Sequence, residues 1–322
     1  MKIAIVGTGK IVGEVLIALQ SVEYITVAAI CSRPQSREKA MALATQYNIN
    51  KVYTDYDQLL ADADIDFVYI GIVNDMHFPY ALKALSADKH VILEKPFCTT
   101  FAEAEQLCNL ARQRRRYLFE AITTIHMPNY QRLKSRLTDI GTVRMIQANY
   151  SQYSSRYDKY LQGILTPAFD VSHAGGALMD INLYNIYLAV ALFGQPVSAT
   201  YACNRGFNGV DTSGVALLNY PGMVAVCSGA KDSASPGHAI IQGEKGIIVV
   251  DGIPSTLPRL TVSSNRVDEV FVQEEGRHRL TYEFKQFAEV FAADDYEQMS
   301  AWLDTTLDVM RTLDMLRRNA RP

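Results

Sequence analysis

Two glycines near the start of the sequence, Gly7 and Gly9, separate a short apolar stretch from a segment with helical periodicity. Residues 2–6 are apolar after the first lysine, as in a strand buried on both faces of a parallel sheet. In this context the first glycine makes a tight turn. The second lets backbone N–H groups approach a pyrophosphate at the helix N-terminus. The alternative is an ordinary strand-to-helix connection that uses glycine for its backbone freedom.

Strand-like and helix-like segments then alternate through the first 122 residues. Further strands are predicted at residues 26–31, 67–72 and 90–93, and helices at 36–47, 78–85 and 100–116. Thr100 and Glu103 match a capping box, in which the hydroxyl and the carboxylate satisfy free N–H groups at a helix start. Repeated β–α units imply a doubly wound parallel sheet with right-handed crossovers.

The remaining sequence favours a mostly antiparallel sheet. Predicted strands cover 144–153, 199–203, 214–220, 224–229, 239–242 and 247–251, and predicted helices cover 128–137, 179–193, 282–292 and 296–318. Pro221-Gly222 and the Gly243–Gly246 turn indicate hairpins. We therefore predict an α/β chain with a dinucleotide-binding domain over 1–122 and a substrate-binding and oligomerisation domain over 123–322. We leave open that the last helix, at about 296–318, packs back on the first domain.

Composition and charge argue against several classes of protein. The net charge of −3 gives no reason to expect a nucleic-acid or membrane partner. The five cysteines lack a C-x-x-C spacing and the six histidines lack a ligand spacing, so we expect no disulfide framework and no metal site. No apolar run approaches the roughly 18 residues that would indicate a spanning helix, and we expect a cytoplasmic protein.

The end of the second predicted strand bears on the choice of cofactor. A fingerprint that prefers NAD carries an acidic residue about 20 positions on, which binds the ribose 2′-hydroxyl. Cys31-Ser32-Arg33 has no carboxylate, but Ser32 and Arg33 can both donate to a 2′-phosphate, with Arg37 as a second cation. We therefore expect NAD(P), with NADP modestly preferred. The alternative is that Arg33 stacks on adenine or is a plain surface residue.

A Glu94-Lys95-Pro96 sequence follows the predicted strand at 90–93. In an open parallel sheet, ligands bind beyond the carboxyl ends of the strands, and a lysine there points toward the cofactor. Without further support, the simpler interpretation of Lys95 is a surface lysine before a turn.

A second segment, residues 175–184, favours a functional role for Lys95 over a surface position. Its sequence GGALMDINLY, taken with Lys95, resembles the GFO/IDH/MocA family of NAD(P)-dependent oxidoreductases. Three other stretches are similar to family motifs: GTGKI at 7–11, VNDMH at 73–77 and QGEKG at 242–246. The resemblance implies a Rossmann domain followed by an α/β domain with a large open sheet. In the family that sheet commonly forms the oligomer interface, so we expect a homo-oligomer, either a dimer or a tetramer.

The resemblance also implies roles for individual residues. Lys95 corresponds to the catalytic lysine of the E-K-P motif. Asp180 and Tyr184 match a D-x-x-x-H element in which tyrosine replaces histidine, as in the dihydrodiol dehydrogenase and glucose–fructose oxidoreductase branch. Val73 replaces the usual proline. Asn182 replaces a frequent glycine, so the identity of the substrate is not carried over.

The chemistry of these residue types agrees with such roles. Asp180 and Tyr184 are four residues apart and share one face of a helix. We assign Tyr184 as the proton donor and acceptor and Lys95 as the group that polarises the substrate oxygen, because an ammonium nearby favours the phenolate. Asp180 would orient Lys95 or the substrate. In a rival assignment Lys95 itself transfers the proton, and in a simpler one Tyr184 is a buried aromatic.

Other candidate residues complete the predicted site. The two glycines at 175 and 176 leave room for a ring to approach the backbone. The candidate cofactor-binding residues are Gly7, Gly9, Lys10, Ile11, Ser32, Arg33, Asn74, His77, Glu94 and Lys95. The candidate substrate-binding residues are Arg156, Tyr157, His173 and Asn182.

We therefore expect an oxidoreductase that transfers a hydride between a nicotinamide cofactor and a hydroxyl or carbonyl of a sugar, polyol or related small molecule. One alternative is a reductase or dehydrogenase of a diketone or dihydrodiol. Another is a non-catalytic NAD(P)-sensing protein, which would have no need for a proton-transfer group.

Overall fold

The computed structural model describes residues 1–273 and 276–321, which form two compact units. The first unit comprises Met1–Ile122 and Arg277–Leu307, and the second comprises Thr123–Gly276 and Asp308–Pro322. The predicted boundary at 122/123 is also a boundary between these units. We predicted one continuous second stretch over 123–322, however, whereas the chain returns to the first unit over residues 277–307.

The elements up to residue 121 are β1 Lys2–Val6, α1 Lys10–Leu19, β2 Thr26–Cys31, α2 Arg37–Gln46, β3 Lys51–Tyr53, α3 Tyr56–Leu60, β4 Phe67–Ile70, α4 His77–Ser86, β5 His90–Glu94, α5 Phe101–Arg114 and β6 Leu118–Ala121. Those that follow are α6 Pro128–Arg136, β7 Val143–Ser151, α7 Tyr157–Leu161, α8 Leu183–Phe193, β8 Ser198–Arg205, β9 Asp211–Tyr220, β10 Met223–Ala230, β11 His238–Gly243, β12 Gly246–Asp251, β13 Arg259–Ser264, β14 Val267–Val272, α9 Leu280–Ala292, α10 Tyr296–Arg318 and β15 Ala320–Arg321.

The first unit contains a six-stranded parallel sheet in the order β3-β2-β1-β4-β5-β6. This is the strand order of a doubly wound dinucleotide-binding fold, so the predicted Rossmann architecture is confirmed. The central strands are apolar and buried because helices cover both faces. The chain that returns after residue 277 adds α9, whose Phe287 stacks on Phe119 of β6 with ring centroids 4.5 Å apart.

The second unit contains a nine-stranded sheet in the order β14-β13-β12-β11-β7-β10-β9-β8-β15. Among the described strand pairs of this second sheet only β7–β10 and β8–β15 are parallel, so the prediction of a mostly antiparallel sheet is confirmed. The predicted turns at Pro221-Gly222 and Gly243–Gly246 do join antiparallel neighbours, β9 to β10 and β11 to β12.

The sequence analysis missed several short or polar strands. These are β3, β6, β13, β14 and β15. The strands β13 and β14 contain serines and acidic residues, and most of β14 is exposed. They are strands because their backbones pair at the sheet edge, and their composition alone does not indicate this.

The helix that carries Tyr184 is a core element of the second unit. α8 packs on β7 and β10, and its residues 183–190 are buried. The stretch Val171–Phe193 is long and apolar enough to cross a membrane by length and composition, but 72% of its most apolar window is buried in the protein. Burial of that extent is typical of a core helix in a globular protein.

Candidate active site

The turn between β1 and α1 has the geometry of a phosphate cradle. Gly7 has a φ of +119°, and a Cβ placed there would lie 2.3 Å from the carbonyl oxygen of Gly71. Only glycine therefore fits, because the turn passes close to the end of β4. Gly9 is the exposed N-cap of α1, and a Cβ added to it would meet no heavy atom within 4 Å. The helix N-terminus thus has open room for a pyrophosphate beside it.

The first turn of α1 shows how a departure from the usual fingerprint is accommodated. Val12, at the position normally held by glycine or alanine, is fully buried between helix and sheet. Gly13 faces away, with nothing within 4 Å of an added Cβ. Ile11 is half-buried, and the Lys10 side chain is 84% exposed, with its Nζ 3.8 Å from Glu14.

The end of β2 presents a buried hydroxyl and exposed cations. Ser32 is buried, and its Oγ donates to the carbonyl oxygen of Arg33 at 3.1 Å. Arg33 and Arg37 are both exposed. Burial first, and then the charge of Asp55, raises the pKa of the Cys31 thiol to about 11. That carboxylate is already engaged, since Asp55 accepts the backbone N–H groups of the first turn of α3.

The end of β5 carries a buried carboxyl next to the candidate catalytic lysine. Oε1 of Glu94 accepts a 2.8 Å hydrogen bond from the Tyr69 hydroxyl, and Oε2 accepts the backbone N–H of Lys95 at 3.2 Å. Burial raises the pKa of Glu94 above its usual value. Lys95 itself is half-buried at the carboxyl end of the strand. Glu94 therefore fixes the start of the Glu-Lys-Pro turn.

His77 has a structural role in the same region. Its Nδ1 lies 2.8 Å from the carbonyl oxygen of Pro96, and its Nε2 lies 3.2 Å from that of Ile72. The ring is fully buried, and burial lowers its pKa. His77 thereby ties the start of α4 to the Glu-Lys-Pro turn and shapes the loop around it. Asn74 is half-buried in the single helical turn before α4.

In the second unit, Asp180 and Tyr184 lie where an irregular helical turn becomes regular. Residues Leu178–Asn182 form a π-helical turn that continues into α8, whereas we predicted regular helix from residue 179. Such turns are rare and occur frequently at functional sites. The Asp180 side chain is 34% exposed. Tyr184 is buried to 6% exposure, and its ring centroid lies 5.8 Å from that of Tyr150.

The glycine pair before this turn packs against protein. A Cβ on Gly175 would lie 2.5 Å from the carbonyl oxygen of Pro167, and one on Gly176, whose φ is +116°, would lie 2.0 Å from Oδ1 of Asp211. Protein atoms therefore occupy the positions that a side chain would take at either glycine. Oδ2 of Asp211 accepts the backbone N–H of Leu178 at 2.7 Å, so this carboxylate of β9 caps the helical turn.

Two residues of the site had no signal in the sequence. Asp211 is one of them. The other is Lys231, which directly follows β10 and has its Nζ 2.8 Å from Oδ2 of Asp180. Neither belongs to a motif, and only the pairing of β9 and β10 with their neighbours places them beside the helical turn.

The candidate substrate residues have different environments. Asn182 is fully buried; its Nδ2 donates to the carbonyl oxygen of Cys227 at 3.0 Å, so it holds the helical turn on β10. Arg156 is exposed. Tyr157 is half-buried, with its ring centroid 5.6 Å from that of Phe169. His173 is half-buried in a short helical turn before the glycine pair. Asn182 is therefore an internal residue, while the other three border the surface of the second unit.

Comparison with known proteins agrees with these features. Residues 1–121 match the family model described as an oxidoreductase family with an NAD-binding Rossmann fold, and residues 130–249 match the GFO/IDH/MocA C-terminal domain. The chain is 32% identical over 320 residues to the scyllo-inositol 2-dehydrogenase (NADP(+)) IolU of Bacillus subtilis, which covers 99% of this chain and 96% of that protein.

Two further relatives extend the comparison. Trans-1,2-dihydrobenzene-1,2-diol dehydrogenase of Xenopus tropicalis is 30% identical over 257 residues, 77% of this chain and 74% of that protein. The solved structure of KijD10, a 3-ketoreductase from Actinomadura kijaniata in complex with NADP and TDP-benzene, superposes with a TM-score of 0.86 at 25% identity and covers 100% of this chain and 98% of that one. The chain therefore belongs to the GFO/IDH/MocA family and is an NAD(P)-dependent oxidoreductase.

Proposed function

We propose that the protein interconverts a secondary hydroxyl and a carbonyl on a sugar, polyol or related small molecule, with Tyr184 as acid and base and Lys95 as the polarising group. The observation that carries this proposal is the partly exposed carboxylate of Asp180 with Tyr184 four residues later, where the π-helical turn passes into α8. A protein that only binds a dinucleotide has no use for a phenol and a carboxylate in that arrangement.

The cofactor would be held by the first unit. The exposed N-terminus of α1 beside Gly9 would receive the pyrophosphate, and the space free of protein atoms there fits it. Asn74 lies in the turn after β4, and Glu94 is the last residue of β5, so both are at the carboxyl edge of the sheet, where such ligands bind. The nicotinamide, when bound, supplies or accepts the hydride.

The chain's own residues would handle the proton and the charge on oxygen. Oxidising an alcohol requires a base for the hydroxyl proton, and reducing a carbonyl requires an acid. Tyr184 would take or give that proton at its hydroxyl oxygen. Lys95 would donate a hydrogen bond to the substrate oxygen and stabilise its developing charge. Asp180 would orient the substrate. In the rival assignment, Lys95 carries the proton.

The relatives support the class of substrate. Their names refer to an inositol, a dihydrobenzenediol and a ketone that a 3-ketoreductase reduces, so each acts on a hydroxyl or a carbonyl. The same chemistry would also act on a diketone or a dihydrodiol, which is the first alternative. The second alternative is a non-catalytic protein that binds NAD(P) as a sensor.

The end of β2 supports NADP over NAD. Ser32, Arg33 and Arg37 gather a hydroxyl and two guanidinium groups where NAD-specific proteins place an acid. The carboxylate of Asp55 is engaged in capping α3. The modest preference for NADP therefore stays as proposed from the sequence.

The function is tested by screening inositols, aldoses, ketoses and diols with NADP⁺ or NADPH and with NAD⁺ or NADH. Turnover is followed by absorbance of the reduced nicotinamide. On the best substrate, we expect Tyr184→Phe to lower kcat by about 10²–10⁴-fold, the usual contribution of an acid–base group. The Kd for NADPH should be unchanged. Tyr187→Phe, a phenol one turn further along α8, is the matched control.

Two outcomes would contradict the proposal. Full kcat in Tyr184→Phe would remove its acid–base role and, if Lys95→Met abolished turnover, would favour the rival assignment. Tight NADPH binding without turnover on any member of the panel would favour the sensor.

We further propose that the nine-stranded sheet joins copies of this chain in a homo-oligomer. Its face opposite α8 carries a row of half-buried or exposed apolar side chains on paired strands: Leu217, Val226, Ile240, Val249 and Val270. Such a face favours burial against another protein surface.

Light scattering should show a dimer or tetramer, and Leu217→Lys should lower the measured mass toward that of a monomer. Val197→Lys, at a 70% exposed position, is the control. A monomeric wild-type protein would overturn this assembly.

A cytoplasmic location is part of the same proposal. All five cysteines are buried and free. Free thiols in this number are typical of a reducing compartment.

A further inference from the structure

A buried lysine lies behind the carboxylate of Asp180. The side chain of Lys231 is 3% exposed, and its Nζ lies 2.8 Å from Oδ2 of Asp180. The same Nζ donates to the carbonyl oxygen of Ala168 at 2.6 Å and lies 4.5 Å from the ring centroid of Phe169. The Asp180 side chain is 34% exposed. Solvent therefore reaches the carboxylate but not the ammonium.

The backbone of Lys231 is fixed on both sides. Its N–H donates to the carbonyl oxygen of Thr212 at 2.8 Å, and its carbonyl oxygen accepts the N–H of Ser154 at 2.9 Å. Thr212 lies in β9, and Ser154 follows β7. The ammonium is thus held from a rigid point of the sheet, so its position restrains whatever it binds.

The carbonyl group that Lys231 binds also holds the helical turn. The oxygen of Ala168 accepts the N–H of Gly176 at 3.1 Å, and the N–H of Asp180 donates to the oxygen of Gly176 at 3.3 Å. One ammonium therefore contacts both the carboxylate and the backbone support of the turn that carries it. Moving that ammonium would release both contacts.

We propose that Lys231 is a positioning residue that holds the Asp180 carboxylate in the orientation required for the reaction. Lys231 cannot touch the substrate, because it is buried behind Asp180, and it acts only through that carboxylate. A buried ammonium is costly unless it is paired and hydrogen-bonded, and both conditions are met here. The inference rests on the proposed function, which places Asp180 in the active site.

The test is a double-mutant cycle on the best substrate of the panel described above. We expect Lys231→Met to lower kcat by about 10²-fold, the cost of misplacing a reacting group by roughly 1 Å. The Kd for NADPH, which the first unit binds, should stay at the wild-type value. We expect Asp180→Asn with Lys231→Met to be no slower than Asp180→Asn alone, since Lys231 then has no carboxylate to position.

A matched control is Lys89→Met. Lys89 also donates to two carbonyl oxygens, those of Asp62 at 2.7 Å and Ile65 at 2.8 Å, but it directly precedes β5 in the first unit. Its loss should leave kcat unchanged. If the Lys231→Met variant does not fold, the double variant is compared with Asp180→Asn instead. The double variant has neither the ammonium of Lys231 nor the carboxylate of Asp180, so no unpaired charge is buried in it.

The outcomes separate the two proposals. If the wild-type protein turns over substrate and Lys231→Met has the same kcat, this inference is overturned and the proposed function stands. A double variant more than about tenfold slower than Asp180→Asn, a difference of about 1.4 kcal/mol, would do the same. Absence of turnover by the wild-type protein would overturn both.

Discussion

The hydroxyl of Tyr69 donates a 2.8 Å hydrogen bond to Oε1 of Glu94, and both residues are buried in the first unit. Tyr69 lies on β4 and Glu94 ends β5, so the bond joins two neighbouring parallel strands through side chains. A buried carboxyl needs such a donor, because water is not there to replace it.

Tyr69→Phe should therefore destabilise the first unit. Removing the hydroxyl leaves a buried acceptor without its phenolic partner, at a cost of about 1–3 kcal/mol in the free energy of unfolding. The single tryptophan, Trp302, belongs to the first unit, so its fluorescence in a urea titration reports on that unit.

Tyr53→Phe is the control for that measurement. It removes a 2.8 Å phenol–carboxylate bond at Asp62, but this carboxylate keeps its bond to Lys51. We expect a smaller loss. If the free energy of unfolding falls equally in the two variants, burial of Glu94 is not the reason that the hydrogen bond from Tyr69 stabilises the protein.

Glu283 should make the first unit less stable as the pH rises. Both of its side-chain oxygens are buried, and neither has a hydrogen-bond partner among the residues that the structure describes. Burial, and then the charge of Glu94, raises its pKa well above the usual 4.5. The folded protein thus keeps a proton that the unfolded chain has released. The stability that this gives is complete below the unfolded pKa and is lost as the pH rises through the folded one.

We expect Glu283→Gln, which cannot ionise, to flatten this dependence. Its free energy of unfolding should fall less than that of the wild type between about pH 5 and about pH 9. Glu289→Gln is the matched control on the same helix, because the Glu289 side chain is 59% exposed. Identical slopes for wild type and Glu283→Gln would show that the buried carboxyl does not titrate in this range.

Gly176→Ala should damage the second unit severely. An added Cβ would lie 2.0 Å from Oδ1 of Asp211, and the φ of +116° is one that alanine rarely adopts. Gly163→Ala separates the two effects, since its φ is +80° but nothing lies within 4 Å. We expect a loss of about 1 kcal/mol at Gly163 from backbone strain and of more than about 3 kcal/mol at Gly176. Thermal unfolding followed by circular dichroism measures both, and equal losses would argue against the clash.

Arg33→Ala should weaken binding of NADPH and leave binding of NADH nearly unchanged. A charge-assisted bond to a 2′-phosphate contributes roughly 1.5–3 kcal/mol, or about 10- to 150-fold in Kd. Fluorescence titration with both cofactors gives the ratio. Arg114→Ala is a control, because Arg114 binds Asp88 and the carbonyl oxygen of Ser86. A parallel loss for both cofactors would instead indicate stacking on adenine.

Features set by short-range signals could be predicted from the sequence. The Thr100–Glu103 capping box forms as expected, and the last helix spans Tyr296–Arg318, as predicted. The Gly7–Gly9 turn lies between β1 and α1, where the pattern indicated it. Each of these depends on residues within a few positions of one another, and such local preferences are consistent with the fold.

Contacts set by strand pairing could not be predicted. Lys231 and Asp211 reach the turn at residues 178–182 only because β9 and β10 are adjacent in the sheet. The hydrogen bond from Asn182, a candidate substrate residue, to the backbone of β10 is a second contact that the sequence did not indicate. A π-helical turn shifts the side chains that follow it, and no residue type in the segment indicates that shift.

The discontinuity of the first unit has a consequence for its synthesis. A ribosome that has translated through β6 has made all six strands of the parallel sheet, but not the α9 residues Phe284 and Phe287 that cover Tyr69 and Phe119. While the second unit is being translated, residues 1–122 therefore lack the contacts that α9 makes with Tyr69 and Phe119. Protection of these aromatic side chains by a chaperone, or premature termination between the two units, would decide how much of the nascent chain reaches its native state.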